Sequence, residues 1–186
     1  LTFNAQPVQY YAGPITEGDY QFESNYPGVA VDNAGFWPND GTPHLLTWNN
    51  IGSISGFTLT HTLGDAFDVE SFDFAGGYVT GEDPTLSLTV SGFLSGNLIQ
   101  TVTFIGGVDY AASGSSTLST LNLVGFNGID SLLVEAHGPY NRGSYDNFVI
   151  QPSAVPEPAS LVLAAIGACA ASVGAVRNRR RLAANA

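Results

Sequence analysis

Three histidines, His44, His61 and His137, lie far apart and form no HxH or HxxxH pair, so no local pattern nominates a zinc site. No GxSxG stretch offers any of them a serine nucleophile. Carboxylates are more plentiful. Asp65 with Asp68, Glu70 with Asp73, and Glu82 with Asp83 are close pairs of the kind that cleave a glycosidic bond when held at a fixed separation. A segment this rich in acids supplies such pairs by chance. Gly76-Gly77 and Gly106-Gly107 are followed by neither a helical pattern nor a lysine, and so read as turns rather than phosphate cradles. The expectation is a protein that is not an enzyme.

Aromatic side chains carry the other available chemistry. A sugar ring stacks on an exposed aromatic face beside hydrogen-bonding Asn, Asp or Arg. Two segments combine these types: GPYNRGSYDN at 138–147 and NAGFWPND at 33–40. Trp37, Tyr140, Asn141 and Arg142 are therefore the candidate glycan contacts. Trp48 and most of the tyrosines suit a second use, the filling of a β core. Asp146 shares strand parity with Phe148 and Ile150, which points its carboxylate toward the core side of the last strand. A buried carboxylate is costly without a partner, and Arg142 is near enough in sequence to be one. His61 shares parity with Phe57, Leu59 and Leu63 and reads as a partly buried core residue.

The elements that must position these groups are strands. With 22 glycines and 10 prolines in the chain, no stretch before Leu161 shows an apolar period near 3.6 residues. Leu86, Leu88 and Val90 alternate with Ser87, Thr89 and Ser91, and Leu98, Val102 and Phe104 answer from the next run across a Ser95-Gly96-Asn97 connection. Similar short runs recur from Val8 to Ile150, about ten strands by this count. An all-β, two-sheet, jelly-roll-like sandwich is expected. No internal repeat argues for a propeller or solenoid.

Charge divides the chain in two. Residues 1–154 hold 15 acidic side chains and one basic one, Arg142, while residues 155–186 hold Glu157 and four arginines. A body without lysine is repelled by phosphate backbones, which excludes nucleic acid as a partner. The single Cys169 permits no intramolecular disulfide.

Residues 161–176, LVLAAIGACAASVGAV, are uncharged and would span roughly 24 Å as a helix, somewhat short of the ~30 Å hydrocarbon core. Arg177, Arg179, Arg180 and Arg181 follow immediately and hold that end in the cytoplasm by the positive-inside rule. Pro156 and Pro158 flank Glu157 and keep the preceding segment extended. The expected organisation is a sandwich over 1–151, a Pro-rich linker over 152–160, a transmembrane helix over 161–176 and a basic tail over 177–186.

Val155-Pro156-Glu157-Pro158, an apolar run and an arginine cluster, in that order at the C-terminus, resemble the PEP-CTERM sorting domain of Gram-negative and related bacteria. The resemblance implies an exosortase as partner, a multi-pass membrane cysteine protease that cleaves in this region and transfers the protein outward. It also implies a removed N-terminal signal peptide ahead of Leu1 and an inner-membrane stage before the cell surface or extracellular matrix. Less specifically, FDVESFDFAGG at 67–77, ITEGDYQFES at 15–24 and GSYDNFVI at 143–150 resemble carbohydrate-binding-module-like jelly rolls. That second resemblance implies a structural calcium held by an early and a late acidic residue, which here are Glu17 and Asp146, as the oxygen preference of calcium requires. The expected function is an exported structural or adhesive protein, with exopolysaccharide as a further partner. A lectin-like module is the alternative and a secreted hydrolase a third.

Overall fold

Runs of β-branched and aromatic residues separated by Gly, Pro, Asn and Asp turns fold as twelve strands among the described residues, none of which is helical. The computed structural model describes residues 1–7, 9–11, 13–26, 28–32, 42–48, 54–76, 87–105, 118–138 and 142–153, and only the backbone of Gly28, Asp32 and Arg142. The strands are β1 (Gln9–Tyr11), β2 (Ile15–Glu17), β3 (Tyr20–Ser24), β4 (Gly28–Asp32), β5 (His44–Trp48), β6 (Ile54–His61), β7 (Phe67–Gly76), β8 (Ser87–Leu94), β9 (Asn97–Ile105), β10 (Ser119–Asn122), β11 (Ser131–His137) and β12 (Arg142–Pro152). They form two six-stranded sheets, in the orders β1-β4-β5-β12-β7-β10 and β2-β3-β6-β11-β8-β9. Every strand pairing is antiparallel. The fold is thus the all-β two-sheet sandwich that the alternation of apolar residues implies.

The chain divides into two units, Leu1–Ser153 and Ala154–Ala186. Among the described residues no helix is long and apolar enough to cross a membrane. The helix expected over 161–176 lies outside the described residues, as does the whole second unit.

Aromatic rings fill the space between the sheets. Phe3, Phe22, Phe57, Phe72, Phe74, Tyr145 and Phe148 are all buried. Phe148 stacks on Phe72 at 5.2 Å and meets Phe22 and Phe57 edge-on at 5.2 and 5.9 Å, arrangements that ring quadrupoles favour. Each such ring withdrawn from water contributes about 1.5–3 kcal/mol.

Two irregularities decide which residues reach this core. In β12 the pairing with β7 shifts register between Asp146 and Val149, and Asn147 adopts a left-handed backbone with φ of 51°. The extra residue breaks strict alternation, so Tyr145 and Phe148 both point inward although three positions apart. The backbone of Phe148 exchanges hydrogen bonds with Leu1, the Leu1 amine donating to the Phe148 carbonyl and the Phe148 N–H to the Leu1 carbonyl.

The second irregularity lies in the β8–β9 hairpin. Its connection is the two-residue turn Ser95-Gly96, with φ of 51° and 75°, the left-handed pair that matches strand twist. Val102 and Phe104 pack against the core as expected. Leu98 does not, because a register shift between Gly92 and Phe93 places it opposite Phe93 on the outer face.

Candidate functional site

Strand β4 reads Gly28-Val29-Ala30-Val31, with Val29 and Val31 in the core and the small residues Gly28 and Ala30 on the outward face of the first sheet. Tyr10 of β1 stands opposite Ala30, and Trp48 of β5 opposite Gly28. With no bulk on the strand between them, the two rings meet above β4, edge to face at 5.3 Å and 77°. Tyr10 is 79% exposed and Trp48 half-buried, so the pair lies at the surface with Tyr10 its more open member. Arg142 of β12 is in register with Trp48 on the other side, although its side chain lies outside the described residues.

Behind β1 lies a cavity of about 250 Å³ lined by Tyr11, Gly13, Pro14, Glu23, Ser24, Tyr26 and Val29. Tyr26 donates its phenol proton to Glu135 Oε1 at 2.8 Å, and His137 Nε2 lies 4.0 Å from the other carboxylate oxygen. Burial, the hydrogen bond and the charge of Glu135 together push the Tyr26 pKa up to about 12. Tyr26 is therefore a fixed donor at neutral pH. The cavity is smaller than the roughly 300 Å³ at which ligand pockets begin.

Each described member of the acidic pairs marked in the sequence engages a partner outside its own pair. Asp68 accepts from the Gly128 N–H at 2.7 Å, Glu70 from Gln151 Nε2 at 2.6 Å, and Asp73 from the Thr120 hydroxyl and from Asn147 Nδ2. Asp130 accepts from the Ser95 N–H at the hairpin turn. These carboxylates tie turns and neighbouring strands together, which is structural work. Asp65 lies 3.6 Å from His61, and Glu82 and Asp83 lie outside the described residues.

Asp146 corrects the parity argument. It does not share a face with Phe148, because the bulge at Asn147 separates them; its neighbour Tyr145 takes the core position. Asp146 is nevertheless fully buried and accepts from the Thr42 hydroxyl at 3.2 Å. Glu17 stands in the other sheet, on edge strand β2, where Gln6 Nε2 donates to its Oε2 at 2.7 Å. Among the described residues no group of three or more His, Cys, Asp and Glu side chains could hold a metal ion.

His61 is the partly buried residue expected, packed edge-on to Tyr20 at 5.2 Å, whereas Leu63 lies beyond the end of β6 in an exposed turn. His44 is fully buried at the start of β5, its Nδ1 3.2 Å from the Thr42 carbonyl. Trp37, Tyr140 and Asn141 lie outside the described residues, as do Val155, Pro156, Glu157, Pro158, Arg177, Arg179, Arg180 and Arg181. Trp48, which the sequence offers as core filling, stands instead outside the core cluster against Tyr10, a pairing the sequence does not mark. Its one signal was the small-large alternation of β4 beneath it.

Comparison with known proteins separates body from tail. Among solved structures the chain is similar to a DUF4465 family protein from Bacteroides caccae, with a TM-score of 0.51 and 9% identity over 80% of this chain and 88% of that one. It is also similar to an arabinose-bound α-L-arabinofuranosidase, MgGH51, with a TM-score of 0.46 and 15% identity over 81% of this chain and 25% of that one. TmCBM61, solved in complex with β-1,4-galactotriose, has a TM-score of 0.38 and 11% identity over 72% of this chain and 88% of the other. The first likeness shows the fold alone, and no function is taken from any of the three. No curated protein matches the chain in sequence. Residues 154–181 match the PEP-CTERM protein-sorting motif. The chain is therefore an antiparallel β-sandwich body followed by a PEP-CTERM protein-sorting motif, the mark of an exported protein handled by an exosortase.

Proposed function

We propose that this is a non-enzymatic surface protein, cleaved by an exosortase at its C-terminal motif and left at the cell surface or in the extracellular matrix, where the sandwich serves a structural or adhesive role. The observation that carries the reading is the sorting motif at residues 154–181. On this reading residues 161–176 hold the precursor in the inner membrane, and the arginines from Arg177 to Arg181 keep its end in the cytoplasm until cleavage. The uncharged run is short for a permanent anchor, which suits temporary retention. Carboxylates engaged in bracing turns and strands support a role without catalysis.

Replacing Pro156, Glu157 and Pro158 with alanine in the producing bacterium tests it. The variant is expected to stay in the membrane fraction at the mass of the uncleaved chain. Unchanged mass and unchanged surface delivery would sink the cleavage reading.

A lectin-like role is favoured by one observation, the exposed Tyr10 beside Trp48. An aromatic face stacks on the apolar face of a sugar ring. Tyr10→Ala or Trp48→Ala should weaken retention of the protein in polysaccharide-loaded affinity gels by at least about tenfold, the equivalent of about 1.4 kcal/mol. Equal retention of both variants and the parent would remove the pair from any sugar site.

A further inference from the structure

Among the described residues each sheet has two edges, and three of the four are too short to template another strand: β1 and β2 have three residues each and β10 four. The fourth is β9, nine residues long, NLIQTVTFI, with no charge and no proline. Natural edge strands are normally blunted by charges, prolines, bulges or brevity, since an open row of N–H and C=O groups invites pairing. Here the one bulge sits at the hairpin end, opposite Gly92 and Phe93, and leaves the stretch from Gln100 to Ile105 in regular register with β8.

The strand is held ready for a partner. On its outer face the hydroxyls of Thr101 and Thr103 bond those of Ser91 and Thr89 across to β8, at 3.0 and 3.3 Å. At its inner rim Gln100 Nε2 donates to the Val124 carbonyl at 3.1 Å. Apolar side chains remain in water along it: Leu98 is 57% exposed, Ile99 48% and Ile105 77%.

We propose that β9 is a self-association edge, through which two copies of this chain pair antiparallel about a two-fold axis and join their second sheets into one continuous sheet. Charge selects the second copy as occupant. Residues 1–154 carry 15 acids and one arginine, so identical bodies repel one another over most of their surface. From Ser87 to Ile105 the β8–β9 hairpin holds no charged residue, and two copies meeting there bring no carboxylates face to face. A basic partner would be steered to the acidic surface instead. Because each copy has one long edge among its described residues, the pairing closes as a dimer and does not propagate into a fibre. This inference is independent of exosortase processing.

Sedimentation velocity of the full chain in detergent, over a range of concentrations, tests it, with hydrogen exchange read at the β9 amides. The parent chain is expected to show a reversible monomer–dimer equilibrium, with β9 amide exchange slowing as the dimer fills. Thr101→Lys/Thr103→Lys places like charges beside the two-fold and should weaken dimerisation at least tenfold. Thr62→Lys/Leu63→Lys, the same added charge in the exposed turn after β6, should leave it unchanged. If the double lysine variant loses its near-UV circular dichroism, Thr103→Lys alone should weaken the dimer in the same direction. The proposal is overturned if the parent is monomeric throughout, if the β9 lysines leave dimerisation intact, or if β9 amides are equally protected in the monomer.

Discussion

Phe148 shows how much of the fold rests on single side chains. It touches Phe3, Phe22, Phe57 and Phe72, drawing rings from both sheets around one position. Phe148→Ala should cost about 3–5 kcal/mol, the range for deleting a buried ring that its neighbours cannot collapse upon. A urea midpoint shift smaller than that of an exposed control such as Leu63→Ala would contradict the packing described. The tyrosines bear on pH. Tyr26 is raised to about 12 by burial and by Glu135, and Tyr145 is raised by burial, with the Thr47 hydroxyl pulling it down. A phenol whose folded pKa exceeds its unfolded value of about 10 stabilises the fold fully below pH 10, and that contribution is lost as pH climbs through the folded value. Stability should accordingly hold up to about pH 10 and fall between 10 and 12. Urea midpoints across that window check it, and Tyr26→Phe should make the fall shallower. At this scale the sequence was partly legible. The partial burial of His61 beside Phe57 and Leu59 followed from parity, but the Tyr10–Trp48 contact joins residues two strands apart and depends on which strand lies between them.

Among the elements, β12 has the most consequential geometry, since it runs between β5 and β7 and carries the bulge. Asn147 holds the left-handed conformation and its amide donates to Asp73 on β7 at 2.8 Å, so the side chain helps to pin the bulge it creates. Asn147→Val puts a β-branched residue at positive φ and removes that bond, and should destabilise by about 2–3 kcal/mol. Asn147→Gly keeps the backbone relaxed and should cost about half as much. Comparable denaturation midpoints for the two variants would argue against strain at this position. Hydrophobic alternation made the strands themselves legible, and the β8–β9 hairpin followed from a Ser-Gly connection between alternating runs. Bulges were not legible. A strict period of two assigned Leu98 and Asp146 to faces that one inserted residue reverses, and nothing local in composition announces where the insertion falls.

For the molecule as a whole, the sequence by itself determined the all-β class and the sorting address. Both are written in local or short-range terms: alternation at a period of two, turn residues between runs, and a proline-flanked glutamate ahead of an uncharged run and an arginine cluster. These signals survive without knowledge of which strand lies beside which. Only the tertiary structure decided the strand order of the two sheets, the aromatic pair above β4, the placement of Asp146 off the core face and, among the described residues, the long sheet edge at β9. Each of these depends on contacts between residues distant in sequence, such as the neighbours that β12 finds in β5 and β7. Antiparallel pairing depends on backbone hydrogen bonds common to every residue except proline, so side-chain pattern alone leaves many strand orders open and packing of the shared core selects one.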